Sequence, residues 1–167
     1  MHVTLVVPNR ADEMAMGTYL QNLLRTLGYD ADVKPIAYAI QFTYIQNTNN
    51  KVQISLTDWN ADYPEPSNFL TELFGCENFH PGSDSSVNIS GFCYQPFEDL
   101  VHQAALTSVT DKTAGAVLWA KADRMLLQQS PAAPLIQIKK IELVSKRLGN
   151  FYTVNLYHML FSQAWVQ

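Results

Sequence analysis

Val3-Thr4-Leu5-Val6-Val7, broken at once by Pro8-Asn9, sets the architecture of the first part of the chain. A short run rich in β-branched side chains that stops at a turn reads as a buried strand. Met14, Tyr19, Leu20, Leu23, Leu24 and Leu27 then recur at helical spacing, and Gly28 follows the last of them as a helix terminator. Residues 31–36 read as a second strand. Val52, Ile54 and Leu56 alternate with Gln53, Ser55 and Thr57 and read as a third. A strand, a helix and further strands in this order predict an α/β unit with a mixed or parallel sheet.

Beyond Trp59 the texture changes to a region rich in Pro, Asn and Ser, with a short helix expected at Ser67–Phe74. Helices are expected over 96–106 and 111–129, the second stopped by Pro131 and Pro134. Strands are expected to resume over 135–138 and 141–145. After Gly149 come Phe151, Tyr152, Leu156, Tyr157, Leu160, Phe161 and Trp165, apolar but without a single period. Such a tail needs a partner surface to cover it.

The chain has 167 residues, 47% of them hydrophobic, enough for a real core and too many for a disordered chain. Mean hydropathy is −0.08 and no run of eighteen apolar residues occurs, which excludes a membrane-spanning helix. The first residues lack the basic lead and long apolar stretch of a secretion signal, so the sequence reads as cytoplasmic or as beginning inside a longer chain. The net charge of −4 is unevenly spread. Residues 1–100 carry four Lys/Arg against twelve Asp/Glu, and the remainder seven against three. From Val52 through Asp111 there is no lysine or arginine. A polyanion meets repulsion there, so nucleic acid is not the expected partner, whereas a cationic ligand is tolerated.

Chemistry-bearing motifs are sparse. His2, His80, His102 and His158 are scattered without H-x-x-x-H spacing, and Cys76 and Cys93 are not C-x-x-C, so no metal site and no cofactor are expected. No G-x-S-x-G, phosphate-binding glycine loop or H-E-x-x-H is present. What stands out is Asp58-Trp59-Asn60-Ala61-Asp62-Tyr63-Pro64-Glu65-Pro66-Ser67-Asn68-Phe69-Leu70, directly after a strand. Carboxylates beside Trp59 and Tyr63, in a chain stiffened by two prolines, present charge and flat apolar faces to a small ligand from a preformed site. The plainer alternative makes Trp59 and Tyr63 core residues and Asp62 a helix cap, a role for which Ser67 is better placed.

The run Trp-x-x-Asp-Tyr-Pro-x-Pro-x-x-Phe-Leu resembles the signature of the family 5 extracytoplasmic solute-binding proteins, the peptide- and nickel-type receptors of ABC importers. Agreement continues in order through 89–100, a helix with Ala122, Asp123 and Leu127, then 133–136 and 143–149. The resemblance covers nearly the whole chain, yet the family's receptors are much longer. It therefore implies a type II periplasmic-binding-protein fold of which 1–148 is the carboxyl-terminal ligand-binding lobe and 149–167 a return segment toward the missing first lobe.

By the same resemblance Asp62 pairs with a ligand's free ammonium group and Trp59 lines the adjoining pocket, with Asn60 and Tyr63 beside them. Peptide-binding members commonly hold the ligand carboxylate with an arginine of this lobe. Nothing basic stands at 53–57, and Arg10 is the substitute. Relatives of the dipeptide-binding branch carry a similarly placed cysteine pair, which implies a Cys76–Cys93 disulfide in an oxidising compartment; in a cytosolic protein both would be free thiols. The implied function is that of a receptor outside the cytoplasmic membrane, membrane-tethered through its parent chain or not. It binds a peptide or peptide-like small solute and delivers it to ABC permease subunits. The alternatives are a cysteine-dependent enzyme, with Cys76 or Cys93 as nucleophile and His80 or His102 as base, and a ligand-sensing regulatory module of the same fold.

Overall fold

The computed structural model describes residues 1–137, 141–154 and 158–167. Three parallel strands open the chain: β1 (His2–Pro8), β2 (Asp30–Ile36) and β3 (Ile54–Ser55), in the order β2-β1-β3. β1 lies at the centre because it carries the most apolar run. Val3, Leu5 and Val7 point to one face and Val6 to the other, and all four are buried, so both faces of β1 are covered. Helix α1 (Ala11–Thr26) packs on the Val7 side, where the bare Cα of Gly17 lets it approach Val7 and Val33. It ends as the sequence predicts. Gly28 takes a left-handed φ of 89°, with its N–H donating to Arg25 O and that of Tyr29 to Leu24 O, the Schellman arrangement.

A second helix, α2 (Tyr38–Gln46), follows β2 and packs against β1. Nothing in the apolar pattern announced it, since aromatic and β-branched residues are spread around it. The third strand is shorter than its alternation suggests. The side chain of Gln53 accepts from Thr4 N–H at 2.9 Å and so takes the place of a backbone rung, and Ile54 faces outward on the edge strand.

The second half is helical. Helix α3 (Ser67–Phe74) leads to a loop closed by the Cys76–Cys93 disulfide, S–S 2.10 Å. Helices α4 (Gln95–Thr110) and α5 (Lys112–Gln129) form a hairpin turned at Asp111, whose carboxylate accepts from Ala114 N–H at 2.9 Å as the cap of α5. Leu70, Phe97, Val101, Ala104, Trp119, Ala122 and Leu126 make one apolar core between these helices. The loop has a polar core of its own. Asn88, fully buried, donates to Gly75 O at 3.0 Å and Phe92 O at 2.8 Å and accepts from Ser90 Oγ at 2.8 Å.

The strands expected at 135–138 and 141–145 do not form among the described residues, and Ile138 lies outside them. Among the described residues the backbone there has no neighbouring strand to pair with, and Ile141 and Leu143 are 87% and 100% exposed. The final segment makes two small antiparallel pairs, β4 (Leu148–Gly149) with β7 (Trp165–Val166) and β5 (Thr153–Val154) with β6 (His158–Met159). Phe151, Tyr152, Phe161 and Trp165 of the apolar tail are exposed, while Leu156 and Tyr157 lie outside the described residues.

Candidate functional site

Where β3 ends, the chain turns through Thr57, Asp58 and Trp59 across the first turns of α2, and the two segments enclose an open pocket of about 400 Å3. Asp58, Trp59, Asn60 and Asp62 line one side, and Tyr38, Gln41 and Phe42 the other. The position is the carboxyl end of a parallel sheet, where the strand ends leave a crevice. Gln41, itself buried, ties the two sides together by donating to Leu56 O at 3.0 Å. The Trp59 ring is half-buried and lies 6.1 Å from that of Phe42, tilted by 37°. Asp58, Asn60 and Asp62 are exposed to the opening.

The polar group that arranges this segment is Asn68, on the first turn of α3 and only 1% exposed. Its Oδ1 accepts two hydrogen bonds, from Trp59 Nε1–H and from Asp62 N–H, each 3.0 Å, and its Nδ2 faces Asp62 Oδ2 at 3.5 Å. Neither Asp62 nor Ser67 caps α3, contrary to the plainer alternative. Pro66 occupies the cap position, and the Ser67 hydroxyl instead donates to Tyr63 OH at 3.2 Å. Prolines flanking the start of the helix fix the entry of the chain, so a side-chain cap is not what holds it.

Of the residues singled out in the sequence, Trp59, Asn60 and Asp62 come together in the pocket. Tyr63 stands outside its lining, turned toward Ser67. Arg10, at the cap of α1, stacks on the outer ring of the lining with its guanidinium carbon 4.9 Å from the Tyr38 centroid. It is also within 3.7 Å of Asp12 and 3.8 Å of Glu13, so its charge is shared with two carboxylates before any ligand arrives. Glu13 is pushed above the ordinary carboxylate value of 4.5, chiefly because it is buried; Arg10 opposes the shift, and Asp12 and Asp58 add to it. Asp58 and Asp62 in the pocket lining are both acidic, which suits a cation.

Tyr38, Gln41, Phe42 and Asn68 were not read from the sequence. Asn68 gave no signal, since its helical neighbours three and four positions on, Thr71 and Glu72, are polar as well. Cys76 and Cys93, the nucleophiles of the enzyme alternative, are joined to each other, so neither is a thiolate in this form. Among the described residues no group of three His, Cys, Asp or Glu side chains is placed to hold a metal, and no helix is long and apolar enough to cross a membrane.

Solved structures of the type II periplasmic-binding-protein fold superpose on this sheet and its helices, which form part of one lobe of that fold. An oligopeptide-binding protein of clavulanic acid biosynthesis matches over 99% of this chain and 30% of its own, at a TM-score of 0.88 and 18% identity. The dipeptide-binding protein of Pseudoalteromonas sp. SM9913, solved in complex with Met-Leu, matches 99% of this chain and 32% of its own, at 0.81 and 19% identity. Residues 2–81 match the bacterial extracellular solute-binding proteins, family 5, middle region. The dipeptide-binding protein of Escherichia coli K12 is 31% identical over 99 residues, 59% of this chain and 17% of that protein. Over these residues the chain is similar to the family 5 bacterial extracellular solute-binding proteins. It spans less than a fifth of the length of the curated relatives it matches.

Proposed function

We propose that this chain is the carboxyl-terminal ligand-receiving lobe, 1–148, of the substrate-binding component of an ABC importer, with 149–167 returning toward a first lobe. It acts outside the cytoplasmic membrane, takes small peptides or peptide-like solutes, hands them to permease subunits and performs no chemistry on them. The observation that carries this reading is the pocket itself: Asp62 and Trp59 on one wall, Tyr38 and Phe42 on the other, at the carboxyl end of the sheet. Asp62 receives the ligand ammonium, and a carboxylate holds a free amine through short charge-assisted bonds while rejecting an acylated one. Trp59 and Phe42 flank the first side chain. Asn60 contributes polar contacts at the rim with Tyr63 beside it, and Arg10, stacked on Tyr38, is the group for the ligand carboxylate. The two relatives and neighbours named for dipeptides, and the Met-Leu complex among them, support the ligand class.

A second lobe completes the burial. Closure follows because the ligand touches both lobes and so binds the closed state more tightly. The exposed apolar residues of the tail, Phe151, Phe161 and Trp165, are the surface such a lobe covers. The test is Asp62→Asn in a receptor of the relatives' full length carrying this lobe. Calorimetric titration with free-amino peptides is expected to lose about 1.5–3 kcal/mol of binding, with the melting temperature nearly unchanged. An unchanged dissociation constant contradicts the assignment.

A further inference from the structure

We infer that Asn68 is a positioning residue of the ligand site, one buried carboxamide that orients both the aromatic wall and the charged anchor; this rests on the reading of Asp62 as the ammonium-binding group. Two N–H donors, Trp59 Nε1 and Asp62 N, converge on one atom of the Asn68 side chain at 3.0 Å each, so that atom is the oxygen and the orientation of the amide is fixed. The nitrogen is thereby directed at Asp62 Oδ2, 3.5 Å away. The Asn68 backbone is anchored in turn, its N–H donating to Glu65 O at 3.1 Å in the first turn of α3. The chain from Trp59 to Asp62 has no regular secondary structure, so its own backbone ladder does not hold it. The carboxamide of α3 supplies that order. Without it the indole swings and the Asp62 carboxylate loses its fixed direction, even though neither residue is changed.

An aspartate in this place still offers an acceptor to both donors, though it loses the donor that faces Asp62 Oδ2, whereas a leucine of the same shape accepts from neither. That contrast separates positioning from mere packing. The 167-residue chain, labelled with 15N, gives an indole N–H cross-peak for Trp59, assigned by its loss in Trp59→Phe. In Asn68→Leu the peak is expected to move and its hydrogen exchange to accelerate, and the weak affinity for L-alanyl-L-alanine, read from shifts at millimolar peptide, to fall about tenfold. In Asn68→Asp the indole peak stays at its hydrogen-bonded position. An unmoved peak in Asn68→Leu, or equal displacement in both variants, overturns the inference. Should Asn68→Leu not fold, Asn68→Ala takes its place, a displaced indole peak supporting the assignment and an unmoved one refuting it. If the wild-type chain and Asp62→Asn respond identically to the peptide, the peptide reading fails while the indole comparison still decides the role of Asn68.

Discussion

The sheet half, residues 2–60, and the helical half, residues 67–129, achieve order by different means. The sheet half relies on small apolar side chains on a central strand, Val3, Leu5, Val6 and Val7, with Ala31 and Ile45, and its third strand is two residues long. The helical half has larger core residues, Phe97 and Trp119 among them, and adds a disulfide and the buried amide of Asn88. The proposed ligand site draws on both. Its walls come from the strand end and from α2, and its alignment comes from Asn68 on α3. A site at such a seam is ordered only when both halves are, which couples binding competence to the whole lobe.

Opening the disulfide sharpens the contrast most. The bond closes a separation of 17 residues, and in the chain-entropy account its removal by Cys76→Ser with Cys93→Ser costs about 3 kcal/mol. Hydrogen exchange is expected to rise first in 75–93 and the adjoining α3 and α4, with β1 and β2 the last to lose protection. Equal loss of protection in both halves breaks the distinction and makes the lobe one cooperative unit.

A smaller effect is expected at Glu13, on the sheet side near the pocket mouth. Its side chain is 20% exposed, and burial raises its folded value above 4.5. The folded state then holds the proton more tightly than the unfolded chain. The contribution of Glu13 to stability is most favourable below 4.5 and declines as pH rises through the folded value. Glu13→Gln flattens that decline in melting temperature against pH, whereas a steeper decline contradicts the sign.

These contrasts also show what the sequence made legible. β1, α1, α3, α4 and α5 were readable because each carries its own signal: a β-branched run stopped by Pro8, a helical period ended by Gly28, prolines beyond the last helix. The extent of β3 was not, because the competitor for its ladder is the side chain of Gln53 reaching Thr4, a tertiary event. The expected strands near Leu135 and Leu143 had the right side chains but no partner among the described residues. In the site, Trp59 and Asp62 were singled out by the resemblance of residues 59–70 to the family signature, while residue type and spacing alone left a core-and-cap reading open. Asn68 was not singled out, since its importance lies in two donors that folding brings to one oxygen. The aromatic wall from α2 was hidden for a related reason. A helix with apolar residues all round offers no period to read.

The seam itself is tested most directly by adding L-alanyl-L-alanine, and separately its N-acetyl derivative, to the 15N-labelled chain and mapping the shifts residue by residue. The account predicts that the free-amino peptide, at millimolar concentration because a lone lobe leaves the ammonium–carboxylate pair hydrated, moves the signals of Trp59, Asn60, Asp62, Tyr38 and Phe42 together. The acetylated peptide leaves them in place. Equal responses to the two peptides, or shifts centred instead on the separate hollow beside Lys34, Tyr44 and Lys51, contradict it.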